Sequence, residues 1–231
     1  MPPDSSPNDK PTGSRLGWRL RATRMLYESR WFNLRQDDLT LPGGEDIVFT
    51  YVDSPGFVSV VPITPSGEVV LIREYRYTID RWVWAVPAGG LGSKAGTEPG
   101  DAAREELAEE TGYVVDGELR HVASYYACVG NASSRAHVYL ATDVRPATEQ
   151  ELDQTEMIEI RVVPLEAALE MARSGEIEDG NSQLALLLCE PLLAAGRDAG
   201  QEAGSDVGRE VDRDVGREVD RDVDRDVGRE E

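Results

Sequence analysis

The chain has 231 residues, 40% of them hydrophobic, and a formal net charge of −20 from 44 acidic and 24 basic side chains. That length suits one domain of ordinary size with tails. The acidic excess repels phosphate backbones and argues against a nucleic-acid polymer as partner, whereas a small anionic substrate would need a divalent cation between it and the protein.

Residues 1 to about 14 are rich in Pro, Ser, Asp and Gly and are expected to be disordered. They hold no apolar core of a signal peptide, and no later stretch approaches the ~18 continuous apolar residues of a membrane span. A protein of the cytoplasm, without membrane attachment, is the expectation. Strands are predicted at Arg19–Tyr27, Trp31–Leu39 and Asp46–Val52, with a turn at Pro42-Gly43-Gly44. Phe57–Ile63 and Val69–Arg73 flank the hairpin signal Thr64-Pro65-Ser66-Gly67. Trp82–Val86 reads as another strand, ended by Pro87. Asp101–Thr111 is rich in Ala, Leu and Glu and reads as a helix stopped by Gly112. Strands follow near Leu119–Tyr126, His137–Thr142 and Glu156–Val163, then helices at Leu165–Ser174 and Ser182–Leu193.

From about Gly196 the sequence becomes a degenerate repeat, GREVDRDV at 208–215 and again at 216–223, with 13 acidic and 7 basic residues in 196–231. Valine is its only bulky apolar residue, too little to offset the entropy of ordering the backbone. The domain plan is therefore a disordered N-terminus (1–14), an N-terminal β segment (15–56), a main domain (57–195) and a disordered acidic tail (196–231). The fold class is α+β with a mixed sheet. Cys128 and Cys189 lack CxxC spacing and read as free thiols of a reducing compartment. His121 and His137 lack zinc-ligand spacing.

The chemistry is concentrated in PAGGLGSKAGTEPGDAAREELAEETGY, residues 87–113. On the predicted helix Glu106, Glu109 and Glu110 stand at i, i+3 and i+4 and share a face. Three carboxylates there repel one another unless a cation lies between them, and hard oxygen ligands suit Mg²⁺ or Mn²⁺. A merely solvated acidic face is the alternative; the Pro-Ala-Gly turn before the helix and the stop right after the carboxylates favour the site.

This stretch resembles the box of the Nudix family, Gx5Ex7REUxEExGU with U a bulky apolar residue. Glu106, Leu107, Glu109, Glu110, Gly112 and Tyr113 match its right half. The left half departs: Glu105 stands in the arginine slot with Arg104 one place early. Counted back, the first glutamate slot holds Thr97; counted forward from Gly89 it falls on Ala95, which implies two inserted residues in the loop. VVLIREYRY (69–77), AVPAGG (85–90) and IEIRVVPLEAALEMARSGEIEDGNSQLALLL (158–188) resemble the ADP-ribose pyrophosphatase branch, and the resemblance spans about residues 18–193.

The resemblance implies an α/β/α sandwich preceded by a β-rich segment, a homodimer, and Mg²⁺-dependent hydrolysis of a nucleoside diphosphate linked to another moiety, with ADP-ribose or a nucleotide sugar as substrate. It implies metal ligation by Glu106, Glu109, Glu110 and the Ala88 carbonyl, with Glu106 and Glu110 catalytic. Arg76 matches an arginine on the substrate diphosphate, or is a surface arginine at a strand end. Trp31 takes the place of an aromatic that stacks on adenine; a core or dimer-interface tryptophan is the equal alternative. The general base is sought in the acidic loop 149–156, where Glu156 aligns best, and a plain solvated loop is the bland reading. The altered left half leaves a rival from another class, a catalytically weak Nudix domain that binds a nucleotide as a sensor module. In this reading Glu105, roughly 40° from Glu109 around the helix, adds an uncompensated fourth negative charge.

Overall fold

A computed structural model describes residues 13–92, 94 and 96–195. The repeat tail and the first twelve residues, both expected to be disordered, lie outside them. The chain divides into two units, residues 1–188 and residues 189–231, and the architecture below is that of the first.

The N-terminal strands β1 (Arg19–Tyr27), β2 (Asn33–Thr40) and β3 (Asp46–Asp53) form an antiparallel meander, β1-β2-β3. A single 3-10 turn at Ser14–Leu16 precedes it, and so begins within the stretch assigned to the first tail. The meander has its own polar centre at buried Asp37, whose carboxylate accepts from Thr23 Oγ1 at 2.8 Å and Arg35 Nε at 2.9 Å.

The main domain runs β4 (Phe57–Pro62), β5 (Glu68–Arg76), β6 (Arg81–Ala85), β7 (Ala88–Gly90), α1 (Pro99–Thr111), β8 (Tyr113–Val115), β9 (Leu119–Tyr126), β10 (Arg135–Ala141), β11 (Val144–Pro146), β12 (Ile158–Pro164) and α2 (Leu165–Ser174). A third helix, α3, begins at residue 180 and runs to the end of this unit at 188. The expected mixed sheet is the four-stranded β7-β4-β10-β9, parallel at β4–β10 and antiparallel elsewhere. A second sheet, β12-β5-β6, is antiparallel, and β11-β8 is a short ladder. The hairpin between β4 and β5 is the one predicted, with Gly67 at φ 80° and its N–H donating to the Thr64 carbonyl at 2.9 Å. β7, β8 and β11, three residues each, escaped the sequence reading because so short a run shows no period.

Val58, Val60 and Leu71 are fully buried, as continuous apolar strands between covered faces require. Helix α1 packs Ala102, Ala103 and Leu107 against Val58, Val60 and Tyr139. The small residues Ala102 and Ala103 in its apolar stripe let the helix lie close to the sheet, and Glu106 and Glu110 fall on the flank of that stripe. Among the described residues no helix is long and apolar enough to cross a membrane.

The end of α1 carries more than a stop signal. Gly112 adopts φ 69° and its N–H closes on the Ala108 carbonyl at 2.8 Å. The carbonyls the helix leaves open are then taken up by the following loop: Glu109 O accepts from Glu151 N (2.9 Å), Glu110 O from Gln150 Nε2 (2.6 Å), and Gly112 O from Ala147 N (2.9 Å). The acidic loop is thus tied by its backbone to the helix that bears the carboxylates. A Cβ at Gly112 would stand 2.4 Å from the Thr148 carbonyl oxygen. Gly112→Ala is therefore expected to cost about 1–3 kcal/mol from the left-handed backbone alone and to lower Tm by at least about 2 °C in thermal unfolding. An unchanged Tm would mean the loop is not held by this cap.

Candidate active site

The turn Pro87-Ala88-Gly89 is placed by three elements. The Pro87 carbonyl accepts from Val60 N at 2.9 Å, and β7 pairs antiparallel with β4 at Ser59↔Ala88. Behind it, Val86 N donates to Ser182 Oγ at 3.1 Å, and that hydroxyl donates to Asp179 Oδ2 at 2.5 Å at the start of α3. Against this fixed turn lies the carboxylate flank of α1. Glu110 is 4% exposed and its Oε2 accepts the Ala88 N–H at 2.9 Å. Burial drives its pKa well above the ordinary carboxylate value; the Ala88 N–H pulls down, while Glu106, Glu74 and Glu156 push up.

Glu106 comes so close to the turn that a Cβ at Gly89 would stand 1.8 Å from its carboxylate carbon. A side chain at that position would push the Glu106 carboxylate out of its place, and glycine leaves room for it. Burial also raises the Glu106 pKa, and Lys94 opposes that rise.

Lys94 is the residue the sequence reading missed. Its Nζ lies 3.2 Å from Glu105 Oε2, 3.1 Å from Glu106 Oε1 and 3.1 Å from Glu109 Oε2. Its side chain is only 14% exposed. Burial alone lowers the ammonium pKa, but the three carboxylates outweigh it and the net shift is upward. One expectation is corrected here: Glu105 is not an uncompensated charge, because Lys94 pairs with it. Lys94 gathers Glu105, Glu106 and Glu109, while one oxygen of Glu110 accepts the Ala88 N–H beside them. The one sequence signal for Lys94 was scarcity: the chain has two lysines, Lys10 and Lys94, and otherwise uses arginine.

Arg76 ends β5 with its guanidinium 2.8 Å from Glu74 Oε2, an ion pair between a half-exposed cation and a buried acid. Glu156 lies where β12 is about to begin, beside Arg76, since Tyr75 N donates to Met157 O at 3.2 Å and Ile158 pairs with Glu74. One Glu156 oxygen accepts the Asp153 N–H at 2.8 Å. The charge of Glu156 is felt at Glu74, Glu106 and Glu110, so base candidate and helix carboxylates share one region. Trp31 is 48% exposed in the β1–β2 turn, with the Arg30 guanidinium 4.1 Å from its ring centroid. It is thus not a core tryptophan of this chain. That turn touches the loop before α1: a Cβ at Gly92 would lie 2.2 Å from the Arg30 carbonyl oxygen.

A divalent cation fits the donors. All are hard carboxylate oxygens, and three already surround a stand-in cation, the Lys94 ammonium. Among the described residues no three His, Cys, Asp or Glu side chains stand as a ready ligand shell; the Lys94 ammonium lies among Glu105, Glu106 and Glu109, and the Ala88 N–H holds Glu110 Oε2.

Residues 54–182 match the family described as NUDIX domain, and residues 18–52 match the nucleoside diphosphate sugar hydrolase N-terminal domain. The chain is 32% identical over 166 residues to an ADP-ribose pyrophosphatase of Bacillus subtilis (strain 168), covering 71% of this chain and 88% of that protein. It is 30% identical over 185 residues to a CMP-5'-(N-acetyl-N-hydroxy-3-aminopropyl)phosphonate hydrolase of Streptomyces rubellomurinus, covering 80% and 88%. A GDP-mannose pyrophosphatase of Salmonella arizonae is 38% identical over 173 residues, covering 70% and 89%. Among solved structures, one of an ADP compounds hydrolase superposes with a TM-score of 0.67 at 22% identity, covering 78% of this chain and 95% of that one, which shows the shared fold.

Glu74 gives the site a pH signature. Burial raises its pKa above the ordinary carboxylate value, Arg76 lowers it, and Glu156 and Asp179 raise it, for a net rise. A raised folded-state pKa contributes stability that is fully present below the unfolded value of about 4.3 and is lost as pH rises through the folded value. Glu74→Gln cannot ionise, so its Tm relative to wild type should increase from pH 4 toward pH 7. A Tm difference that does not vary with pH would remove the buried charge from the account.

Proposed function

The chain belongs to the Nudix family as a pyrophosphohydrolase, and from that premise we propose that it uses Mg²⁺, or Mn²⁺ in its place, to hydrolyse ADP-ribose or a nucleotide sugar at the diphosphate. The observation that carries the reading is the meeting of α1 carboxylates around a cation beside the Pro87–Gly89 turn. The N-terminal match and the named relatives support a nucleoside diphosphate joined to a second moiety rather than a simple nucleotide.

Glu106, Glu109 and Glu110, with the Ala88 carbonyl, would hold the metal. When bound, it neutralises diphosphate charge, polarises a P–O bond and lowers the pKa of an attacking water. The protein's own groups do the rest. Ala88 N–H fixes the orientation of Glu110. Arg76, poised by Glu74, presents a planar fork to phosphate oxygens. Glu156 would be the group that takes a proton from water, a reading supported by its loop's anchoring to the α1 terminus. Trp31 offers an exposed ring for a nucleobase or for a second subunit.

The assembly is proposed to be a homodimer through the N-terminal meander, which leaves Met25, Tyr27, Phe32, Val48 and Phe49 exposed. So many large apolar side chains on one small sheet and its connecting turn are unusual for a free surface. Phe49→Glu should shift the mass in multi-angle light scattering from two chains to one; a monomeric wild type would contradict this.

A panel of ADP-ribose, nucleotide sugars and dinucleotides, assayed with Mg²⁺ and Mn²⁺, tests the activity. Glu106→Gln and Glu110→Gln should each lower kcat by at least roughly 100-fold with the circular dichroism spectrum kept. Near-normal turnover in both variants would place the chemistry elsewhere.

A further inference from the structure

Lys94 stands in the loop that departs from the family pattern, and Glu105 stands where that pattern has arginine. The two departures meet in space, since Lys94 Nζ is 3.2 Å from Glu105 and equally near Glu106 and Glu109. We infer that Lys94 is a displaceable internal counter-ion: it holds the carboxylate cluster together in the metal-free protein and must leave it when a divalent cation enters. This rests on the reading that the α1 carboxylates are the metal face.

Charge sets the competition. Three carboxylates around one ammonium leave an excess of two negative charges, so the cluster is held but not neutralised. A buried ammonium is tolerated only when paired, and Lys94 and Glu106 are the covered members, at 14% and 12% exposure. Glu105 and Glu109 are about half exposed, so water screens their share. A divalent cation binding the same oxygens meets the ammonium as a like charge a few ångströms away. The ammonium repels it if it stays and gives up its pairs if it goes. Either way Lys94 weakens metal binding, and either way it stabilises the empty site. A lysine suits this role better than the arginine used almost everywhere else in the chain. Its charge is a compact point on a flexible stem with no fork to lock it to one carboxylate.

The two lysines make the inference directly readable. Full-length protein is treated briefly with acetic anhydride with and without saturating Mg²⁺, and acetylation is read by peptide mass spectrometry, with Lys10 as internal reference. Lys94 should be protected without metal and label at least about threefold faster with Mg²⁺, while Lys10 is unchanged. Equal Lys94 labelling in both conditions would overturn displacement.

Variants test the competition. Lys94→Met should lower the metal-free Tm by about 3 °C or more and tighten Mg²⁺ binding by about tenfold in calorimetric titration. Lys94→Arg, which keeps the charge, should retain the wild-type Tm. Unchanged Tm and affinity in Lys94→Met, or weaker Mg²⁺ binding, would overturn the proposal. Glu106→Gln separates the two layers. If it binds Mg²⁺ as wild type does, the metal face itself is misassigned, whatever Lys94 shows.

Discussion

The site depends on one close approach: helix α1 sets the Glu106 carboxylate against the backbone of Gly89, in the space a Cβ there would take. The small residues Ala102 and Ala103 let α1 lie low on β4 and β10, and that proximity brings its acidic flank to the turn. It buries Glu110 against the Ala88 N–H and crowds Glu105, Glu106 and Glu109 around Lys94. Charges held this near one another in a partly dry place demand a cation. The rest of the domain braces that demand. The Asp179–Ser182–Val86 link fixes the turn from behind, and the 147–151 segment caps the helix from its end.

Much of this was legible in the sequence because its signals were local. Alternating and β-branched runs gave β1, with the bounds found, and the hairpin at Thr64–Gly67 followed from its turn residues. Gly112 announced the helix stop, and the family resemblance marked Glu106, Glu109 and Glu110. What the sequence hid was long-range or too short to have a period. β7 is three residues with two glycines and reads as loop, yet it pairs with β4 and carries the turn on which Glu106 rests. Lys94 sits eleven residues before Glu105, outside any helical spacing, and only the fold of the loop brings its ammonium to the acids. Glu74 looked like one strand residue among others; its burial comes from the pairing of β5 between β6 and β12.

The two departures from the family pattern therefore have a common physical sense. With glutamate in the arginine slot of the helix, the cluster gains a negative charge and loses a positive one. With Lys94 in the lengthened loop, a positive charge returns from another direction. The carboxylates remain gathered, but around a cation carried by the loop and not by the helix. The degenerate left half of the motif thus still leaves the α1 carboxylates gathered around a positive charge.

The central claim is that the oxygen cluster around Lys94 is the place of the divalent cation. A crystal structure of the full-length protein soaked in Mn²⁺ and measured at the manganese absorption edge tests it most directly. The account predicts an anomalous peak among the Glu106 and Glu109 carboxylates, with the Lys94 ammonium moved off them. A peak elsewhere in the domain, or none with Lys94 still on its three acids at saturating Mn²⁺, would contradict it.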